Sequence, residues 1–422
     1  MNNLEVVTEI SQEKPAPQRV MPLYALFAGN IISYVGNALT GLAVPWFVLQ
    51  TTGSATQTAM TAFCSALPMV LSSFFGGLLV DRLGYKRTSI LSDIASGVSV
   101  GLVPLLYHTL GLPFWLLLLL VFLGGLLKAP GMNARGSLVP DLARLARMRL
   151  ERTNAISDGL SRVSSFLGAP LAAILISWLG ASNLLWFDAL SFFVSSLLIG
   201  LLVPFTPPIL AGSDAKTGAA LHHLCEGIRY ISGNSLVLSI IVTVMITNLL
   251  DASFGAVVAP VYVRQVFHSP LPLGLLMGAF GGAAFLGTLI FGAIGHTWPR
   301  RLTFGIGFTI GGALRFWILL VPILPLLIAC NAVMGFAIAP VNPLIDTVAQ
   351  EILPQEMRAR VFGVAFAGAM MGIPLGAFVG GFLISWLGLQ QTLVLMGTFY
   401  LIATLSFLVN PAMKQMDQSK KA

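Results

Sequence analysis

Charged side chains are scarce in this sequence. Asp, Glu, Lys and Arg make up 9% of its 422 residues, whereas soluble proteins carry about 25%. Apolar residues make up 56%, and the mean hydropathy is +0.88. These proportions exclude a soluble globular domain. The net charge of +7 does not indicate nucleic-acid binding, because the basic residues are confined to short loops between apolar runs.

Side chains that could form a metal or cofactor site are also sparse. The three cysteines, Cys64, Cys225 and Cys330, are far apart in the sequence, which indicates neither a disulfide framework nor a metal site. No phosphate-binding Gly-Lys-Ser/Thr loop occurs. The sequence therefore predicts no cofactor, no enzymatic reaction and no ATP-driven step.

Twelve apolar runs are long enough to cross a bilayer, since a helical span needs about 20 residues. Several are separated only by turns that contain glycine or proline, and Pro322 and Pro325 divide the ninth run from the tenth. The sequence predicts an all-α membrane protein with twelve transmembrane helices, near residues 21–50, 56–80, 88–108, 113–134, 154–179, 182–203, 235–262, 271–296, 302–321, 322–345, 360–386 and 389–410.

The distribution of basic residues predicts how the chain is oriented. Lys128, Arg162 and Arg315 fall within predicted spans, and Arg264 lies in a loop on the side opposite the N-terminus. All other Lys and Arg residues lie in the tails and in the loops on the N-terminal side. Because positive loops stay in the cytoplasm, we expect a multi-pass protein of the inner (plasma) membrane with both termini cytoplasmic.

Two parts of the sequence resemble each other. Residues 41–50 resemble residues 256–265, and the loop that begins at Gly77 resembles the segment that begins at Gly292, with the same separation in both pairs. Two six-helix repeats around a central site are typical of transporters. We expect pseudo-symmetric halves at 21–203 and 235–410, joined by a cytoplasmic linker at 204–234 and flanked by cytoplasmic tails at 1–20 and 411–422.

The loop between the second and third spans has a characteristic spacing. Its pattern is Gly-x-x-x-Asp-Arg-x-Gly-x followed by two basic residues. This pattern resembles the loop signature of the major facilitator superfamily. The residues are Gly77, Asp81, Arg82, Gly84, Lys86 and Arg87. The resemblance implies that this loop is a conformational latch, which meets Arg358 and Arg360 before the eleventh span when the protein opens outward.

Three further segments are similar to one branch of that superfamily, the macrolide-efflux and enterobactin-exporter-like drug:proton antiporters. They are residues 138–141 with Asn154 and Ala155, residues 226–230, and residues 353–362. The antiporter motif of the fifth span is only partial. Gly159 and Gly168 have its spacing, but Ala172-Ala173 stand where Gly-Pro is expected. This departure leaves coupling to protons open.

The resemblance implies a secondary active transporter. We expect export of an amphiphilic small molecule, such as a drug, macrolide or siderophore, by alternating access and with protons as the coupling ion. The expected partners are the substrate, protons and membrane lipids, with no nucleic acid, and we expect a monomer. An importer or facilitator of a metabolite, a lipid flippase and a non-transporting receptor stay open as alternatives.

Polar and aromatic residues at helical spacing predict the lining of a central cavity. In the fifth span Asp158 and Arg162 are four residues apart, so they share a face and could neutralise each other. A polar stripe on a spanning helix faces either water or a partner helix, and we favour the cavity. The predicted lining consists of Phe27, Asn30, Tyr34, Asn37, Asp158, Arg162, Asn248, Phe362 and Phe366.

Proton coupling requires an acid inside the membrane that can bind and release a proton. We favour Asp251 for this role, because it lies deep in the seventh span and has no basic residue one helical turn away. Asp158 is the second candidate. Lys128 could pair with Asp93 or extend toward the cytoplasm. Outside the spans, residues 141–152 could form an amphipathic helix on the membrane surface.

Overall fold

The computed structural model describes residues 19–205, 217–295, 298–353, 355–414 and 416. Almost all of these residues lie in helices, and no strand occurs within these ranges. The first part of the chain forms α1 (Met21–Thr52), α2 (Ala55–Leu83), α3 (Tyr85–Thr109), α4 (Phe114–Leu145), α5 (Leu150–Leu179) and α6 (Ala181–Leu202).

The second part of the chain begins with α7 (Thr217–Gly233), which precedes the long helix α8 (Ser235–Val266). Helix α8 contains a π-helical turn at Phe254–Val258, just before Pro260, whose missing N–H cannot continue the regular ladder. Helix α10 covers residues 300–318 and contains a second π-helical turn at Thr309–Ala313. The others are α9 (Leu271–Ile294), α11 (Leu324–Ile338), α12 (Val341–Ile352), α13 (Gln355–Leu387) and α14 (Leu389–Val409).

Ten helical segments in the described part of the chain are long and apolar enough to cross a bilayer. Helices α11 and α12 together form one of them, Leu324–Ala349, which is interrupted at Ala339 and Pro340. Helices α2 and α10 occupy the positions of the second and ninth predicted spans. The all-α membrane class is therefore confirmed, and the count of twelve spans stays a prediction.

Glycines end α5 and α13 in the same way. Residues 176–180 and 384–388 both read Ile-Ser-Trp-Leu-Gly, and Gly180 and Gly388 have φ angles of 82° and 83°. That conformation is costly for residues with a Cβ, so glycine permits the chain to turn directly into the next helix. Trp178 and Trp386 are 79% and 85% exposed, which suits indole rings at a membrane interface.

Residues 141–152 do not form a separate surface helix, contrary to expectation. Helix α4 continues through Leu145, and α5 already begins at Leu150. Arg147 turns the chain between them with a φ angle of 51°. Leu142, which was expected to face lipid, is 2% exposed and packs with Leu23 in a hydrophobic cluster. The apolar face of this segment is therefore buried against the protein itself.

Two helix pairs make most of the contact between α1–α6 and α8–α14, namely α2 with α13 and α5 with α9, and α8 also meets α1 and α2. Both pairs meet through small residues, because Gly381 faces Ala59 and Gly274 faces Ala173, and small residues let helix backbones approach closely. These contacts lie at the ends of the helices that are farther from the start of α1. The opposite end is called the terminal face because α1 begins there, and the cavities that extend from it between the helices are together called the cleft.

Gly376→Ala is expected to destabilise the protein by about 1–3 kcal/mol. A Cβ at this position of α13 would overlap the carbonyl oxygen of Leu249 in α8, and neither backbone can give way without moving a whole helix. The matched control is Gly282→Ala in α9, where a Cβ meets nothing within 4 Å. Thermal unfolding of both purified variants measures the difference, and equal melting temperatures would contradict the close contact.

Candidate functional site

Two adjoining cavities follow the inner surface of α1 into the protein. The polar cavity, nearer the terminal face, has a volume of about 430 Å³. The inner cavity has a volume of about 280 Å³ and also reaches Ala256 of α8 and Ala377 of α13, so it lies between the two parts of the chain. Asn37, Lys128 and Phe192 line both cavities and mark their junction.

Four of the predicted lining residues face the polar cavity, namely Asn30, Tyr34, Asn37 and Asp158. The three on α1 recur every three or four residues, which places them on one face of the helix. Asp158 and Arg162 of α5 are both exposed, and the described side chains include no ion pair between them. The expected mutual neutralisation is therefore not observed, because both side chains reach the open cleft.

Phe27 does not line either cavity, contrary to expectation. It is 5% exposed and packs in a hydrophobic cluster with Leu138 and Val139 of α4. Asn248 lines a different cavity of about 490 Å³ between α8, α12 and α13. The side chains of Phe362 and Phe366 lie outside the described part of the structure, so the aromatic wall stays a prediction.

Arg135 of α4 is the centre of a buried polar network. Its guanidinium pairs with Asp93 of α3. It also donates to the hydroxyls of Ser89 and Ser195 at 3.0 Å and to the Asn30 side-chain oxygen at 3.4 Å. Arg135 and Asp93 are only 6% and 4% exposed. Because a buried charge is tolerated only when it is paired and hydrogen-bonded, this network ties α1, α3, α4 and α6 together.

The network differs from the sequence-based expectation in two ways. Arg135 lies one residue beyond the predicted end of the fourth span at 134, whereas α4 continues to Leu145. The expected pairing of Lys128 with Asp93 is wrong, because Asp93 pairs with Arg135. The sequence does contain a pattern that indicates a buried position for Arg135. It lies two helical turns after Lys128 and therefore on the same face of α4.

Lys128 of α4 and Asp188 of α6 face the inner cavity from different helices. The Asp188 carboxylate accepts hydrogen bonds from Thr40 at 2.5 Å and from Ser191 at 3.3 Å, so each of its oxygens has a partner. The Lys128 ammonium attracts Asp188 across the cavity. It forms no ion pair or hydrogen bond with any residue that the structure describes.

Asp251 has a counter-ion, contrary to expectation. Arg315 of α10 forms an ion pair with it, and the Arg315 guanidinium lies 4.3 Å from the centre of the Phe254 ring. The Tyr400 hydroxyl of α14 adjoins the same carboxylate. The side chain of Asp251 is 35% exposed and that of Arg315 only 11%, so Arg315 is the more enclosed member of the pair. Sequence spacing could not reveal this pair, because its residues lie 64 positions apart on different helices.

Lys86 of the predicted latch loop holds the end of a neighbouring helix. Its ammonium donates to the carbonyl oxygens of Gly200 and Val203 at 2.8 and 2.5 Å, where α6 leaves these groups without helical partners. Arg301 occupies the corresponding position at the start of α10 and donates to the carbonyl oxygen of Leu408 near the end of α14. Both parts of the chain therefore use a cation to fix the end of their last helix.

The other latch residues have separate surroundings. Gly84 separates α2 from α3 with a φ angle of 78°, and Arg82 is exposed. Arg87 lies 4.9 Å from the centre of the Phe205 ring. The side-chain surroundings of Gly77, Asp81, Arg358 and Arg360 lie outside the described part of the structure. Contact between the two sides of the latch therefore stays a prediction.

The described part of the chain contains one residue spacing that is typical of hydrolases. Among the described residues, no group of three or more His, Cys, Asp and Glu side chains could hold a metal ion. Residues 97–101 have the Gly-x-Ser-x-Gly spacing of a hydrolase elbow, but they lie in the middle of α3 and not at a strand-to-helix turn. Gly97 instead lets α3 approach Phe192 of α6.

Comparison with known proteins shows similarity along nearly the whole chain. The sequence profile of the Major Facilitator Superfamily matches residues 26–256 and again residues 241–422. The multidrug efflux pump Tap of Mycolicibacterium fortuitum is 28% identical over 408 residues, which cover 95% of this chain and 98% of that protein. Macrolide efflux protein A of Streptococcus pyogenes is 21% identical over 410 residues, with coverages of 93% and 97%.

Among solved structures, the nucleoside transporter NupG superposes on this chain with a TM-score of 0.76. The superposition covers 93% of this chain and 99% of that one, at 11% sequence identity. Similarity at this identity concerns the fold alone and carries no information on the substrate.

Proposed function

Because the chain belongs to the Major Facilitator Superfamily, we propose that it exports amphiphilic small molecules, drugs among them, by secondary active transport. It is a multi-pass membrane protein with the major facilitator fold, and it is not an enzyme. The observation that carries the proposal is the similarity to the multidrug efflux pump Tap over 95% of the chain. A polar cavity next to a largely apolar one also suits an amphiphile.

Alternating access agrees with the position of the cleft. We infer from the positive loops that the terminal face lies in the cytoplasm, which would make the described conformation the inward-open one. A substrate would then enter the polar cavity from the cytoplasm. Opening toward the outside would require Gly381 to separate from Ala59 and Gly274 from Ala173. The two parts of the chain would rock about the cavities between them.

Protons are the proposed driving ion, with Asp251 as the coupling site and Asp158 as the second candidate. The Asp251 side chain is 35% exposed, whereas that of its partner Arg315 is 11% exposed. Binding of a proton to Asp251 would remove the charge that holds Arg315, and would therefore weaken a link between α8 and α10. Proton occupancy and helix position would be coupled in this way.

A dye-efflux assay tests the proposed function. Cells of a drug-sensitive bacterial strain are loaded with ethidium or with a macrolide, and the loss of the compound is followed over time. Cells that produce the protein are expected to lose it faster than cells with the empty vector, and a protonophore should abolish the difference. No faster loss of either compound, nor of the carboxylate-bearing dye rhodamine B, would contradict export, and loss that persists with the protonophore would exclude proton drive.

Asp81→Asn is expected to shift the population toward the inward-open conformation and to reduce transport without changing expression. In the closed cleft the Asp81 carboxylate would bond to the N-terminus of α13 or to Arg360, and the amide cannot replace its charge. Spin labels on the terminal-face ends of the two parts measure the distances. The control is Asp141→Asn, an acid on the same face that pairs locally with Arg144. Unchanged distance distributions for Asp81→Asn would contradict the latch.

A further inference from the structure

We propose that Lys128 binds an anionic oxygen of the transported compound, so that the cleft selects amphiphiles that carry a carboxylate or a similar oxyanion. This inference rests on the proposed transport function and names its substrate class. It assigns the recognition of charge to a cation in the first part of the chain. The coupling acid proposed above lies in the second part.

Lys128 lies where a ligand in either cavity would reach it. It is half-buried on α4 and lines both the polar cavity and the inner cavity. Its ammonium has three hydrogen-bond donors, yet it bonds to no residue that the structure describes. Asp188 attracts this ammonium across the cavity but makes no direct ion pair with it, so an anionic oxygen in the cavity would supply the contact that the ammonium lacks.

The other buried charges near these cavities already have partners. Arg135 is paired with Asp93 and bonded to three further side chains. The Asp188 carboxylate accepts from two hydroxyls and makes no ion pair with Lys128. Arg315, in the second part of the chain, is paired with Asp251. Among the buried cations that the structure describes, Lys128 is therefore the one available to a ligand.

The two cavities provide separate environments on either side of Lys128. The polar cavity offers neutral hydrogen-bonding groups, including those of Asn30, Tyr34 and Asn154. The inner cavity is lined mostly by apolar side chains, such as Val44 and Leu120. An oxyanion at the junction would let a compound place its polar groups toward the terminal face and its apolar body in the inner cavity.

The acids around the cleft limit what kind of anion can bind. Asp158 faces the polar cavity and Asp188 faces the inner cavity, so a ligand with several negative charges would meet repulsion. A compound with a single oxyanion avoids most of it. One that also carries a cationic group would gain from these carboxylates. Monoanionic and zwitterionic amphiphiles are therefore the expected class.

Rhodamine B and its ethyl ester test this inference. They share one cationic ring system, but only rhodamine B has a free carboxylate. Fluorescence anisotropy measures their binding to the purified full-length protein in neutral detergent. The wild type is expected to bind rhodamine B more tightly than the ester by on the order of tenfold, the usual gain from one charge-assisted hydrogen bond in a shielded site. Equal affinities, or no binding of either dye, would overturn the proposal.

Variants of Lys128 test whether its ammonium causes the preference for rhodamine B over the ester. Lys128→Gln should remove the preference for the carboxylate, and Lys128→Arg should keep most of it. Arg144→Gln, which removes the same charge from an exposed position, should leave it unchanged. A preference that survives in Lys128→Gln would overturn the proposal. Displacement of the dye by phosphatidylglycerol or phosphatidylcholine, but not by a diacylglycerol that lacks the phosphate, would assign the oxyanion to a lipid headgroup and overturn the soluble substrate.

Transport measured with the same two dyes separates this inference from the proposed function. Efflux of the ester but not of rhodamine B from cells would leave export intact and overturn the role of Lys128. If the wild type binds rhodamine B through Lys128 but exports neither dye, the result would contradict export and leave the proposed binding site intact. Efflux of rhodamine B that Lys128→Gln abolishes, with efflux of the ester retained, would support both.

Discussion

Arg135→Met is expected to destabilise the folded protein by about 3–5 kcal/mol, because it leaves the Asp93 carboxylate buried without its partner. Asp93 is 4% exposed, so little of it is in contact with the polar cavity whose wall it forms with Arg135. The same substitution also leaves Ser89 and Ser195 without the guanidinium that they accept from. Thermal unfolding of the purified protein measures the loss, and a reduced yield of monodisperse protein should accompany it.

A double variant shows whether the unpaired charge is the cause. Replacing Arg135 by Met and Asp93 by Leu together removes both charges, and most of the lost stability should return. Arg144→Met is the matched control, because Arg144 pairs with Asp141 on the surface, where an ion pair contributes about 0–1 kcal/mol. If Arg135→Met and Arg144→Met melt at the same temperature, the buried network does not stabilise the protein.

Asp251→Asn is expected to abolish efflux against a gradient while leaving substrate binding or downhill exchange measurable. The amide keeps the shape of the side chain but cannot bind and release a proton, and it no longer neutralises Arg315. Transport in proteoliposomes with an imposed pH difference measures the effect. Exchange without a pH difference serves as the internal control for folding and binding.

Two further variants test whether Asp251 is the site of proton coupling. Arg315→Gln should impair the coupled reaction as well, because it leaves the Asp251 carboxylate without its partner. Asp158→Asn changes an exposed acid at the mouth of the cleft, and its effect on coupling should be the smaller one. If Asp251→Asn still concentrates substrate against its gradient, the coupling site is elsewhere or the protein is not driven by protons.

The sequence was informative wherever the bilayer restricts the chain. Every backbone group in a bilayer must be bonded internally, so long apolar runs imply helices, and the all-α membrane class followed directly. The helical period also identified Asn30, Tyr34 and Asn37 as one face of α1, and the structure places all three at the polar cavity. Periodicity was sufficient here because the feature in question belongs to a single helix.

The sequence was uninformative where two helices have to meet. Periodicity defines a face but not the neighbour of that face, so it could not pair Asp251 with Arg315 or Asp93 with Arg135. Phe27 shares the spacing of the α1 cavity residues, yet it packs in the hydrophobic cluster of the first part of the chain. Pairing across helices depends on how the helices cross, and short-range patterns do not encode that angle.

The cations that hold helix ends have a consequence for the speed of transport. Lys86 and Arg301 stiffen each part of the chain internally, whereas no ion pair among the described residues joins one part to the other. The parts meet through small side chains, the ring pairs Phe63–Phe378 and Phe166–Phe285, an Arg264–Trp46 contact and one hydroxyl pair, Thr56 with Ser385 at 2.6 Å. In the proposed transport cycle, opening toward the outside separates these closely packed and largely apolar surfaces, which salt does not screen. That step should respond little to ionic strength, unlike closure of the proposed latch, and strongly to the order of the surrounding acyl chains. A cell that remodels its lipids in the cold would thereby alter the pace of efflux and leave substrate affinity unchanged.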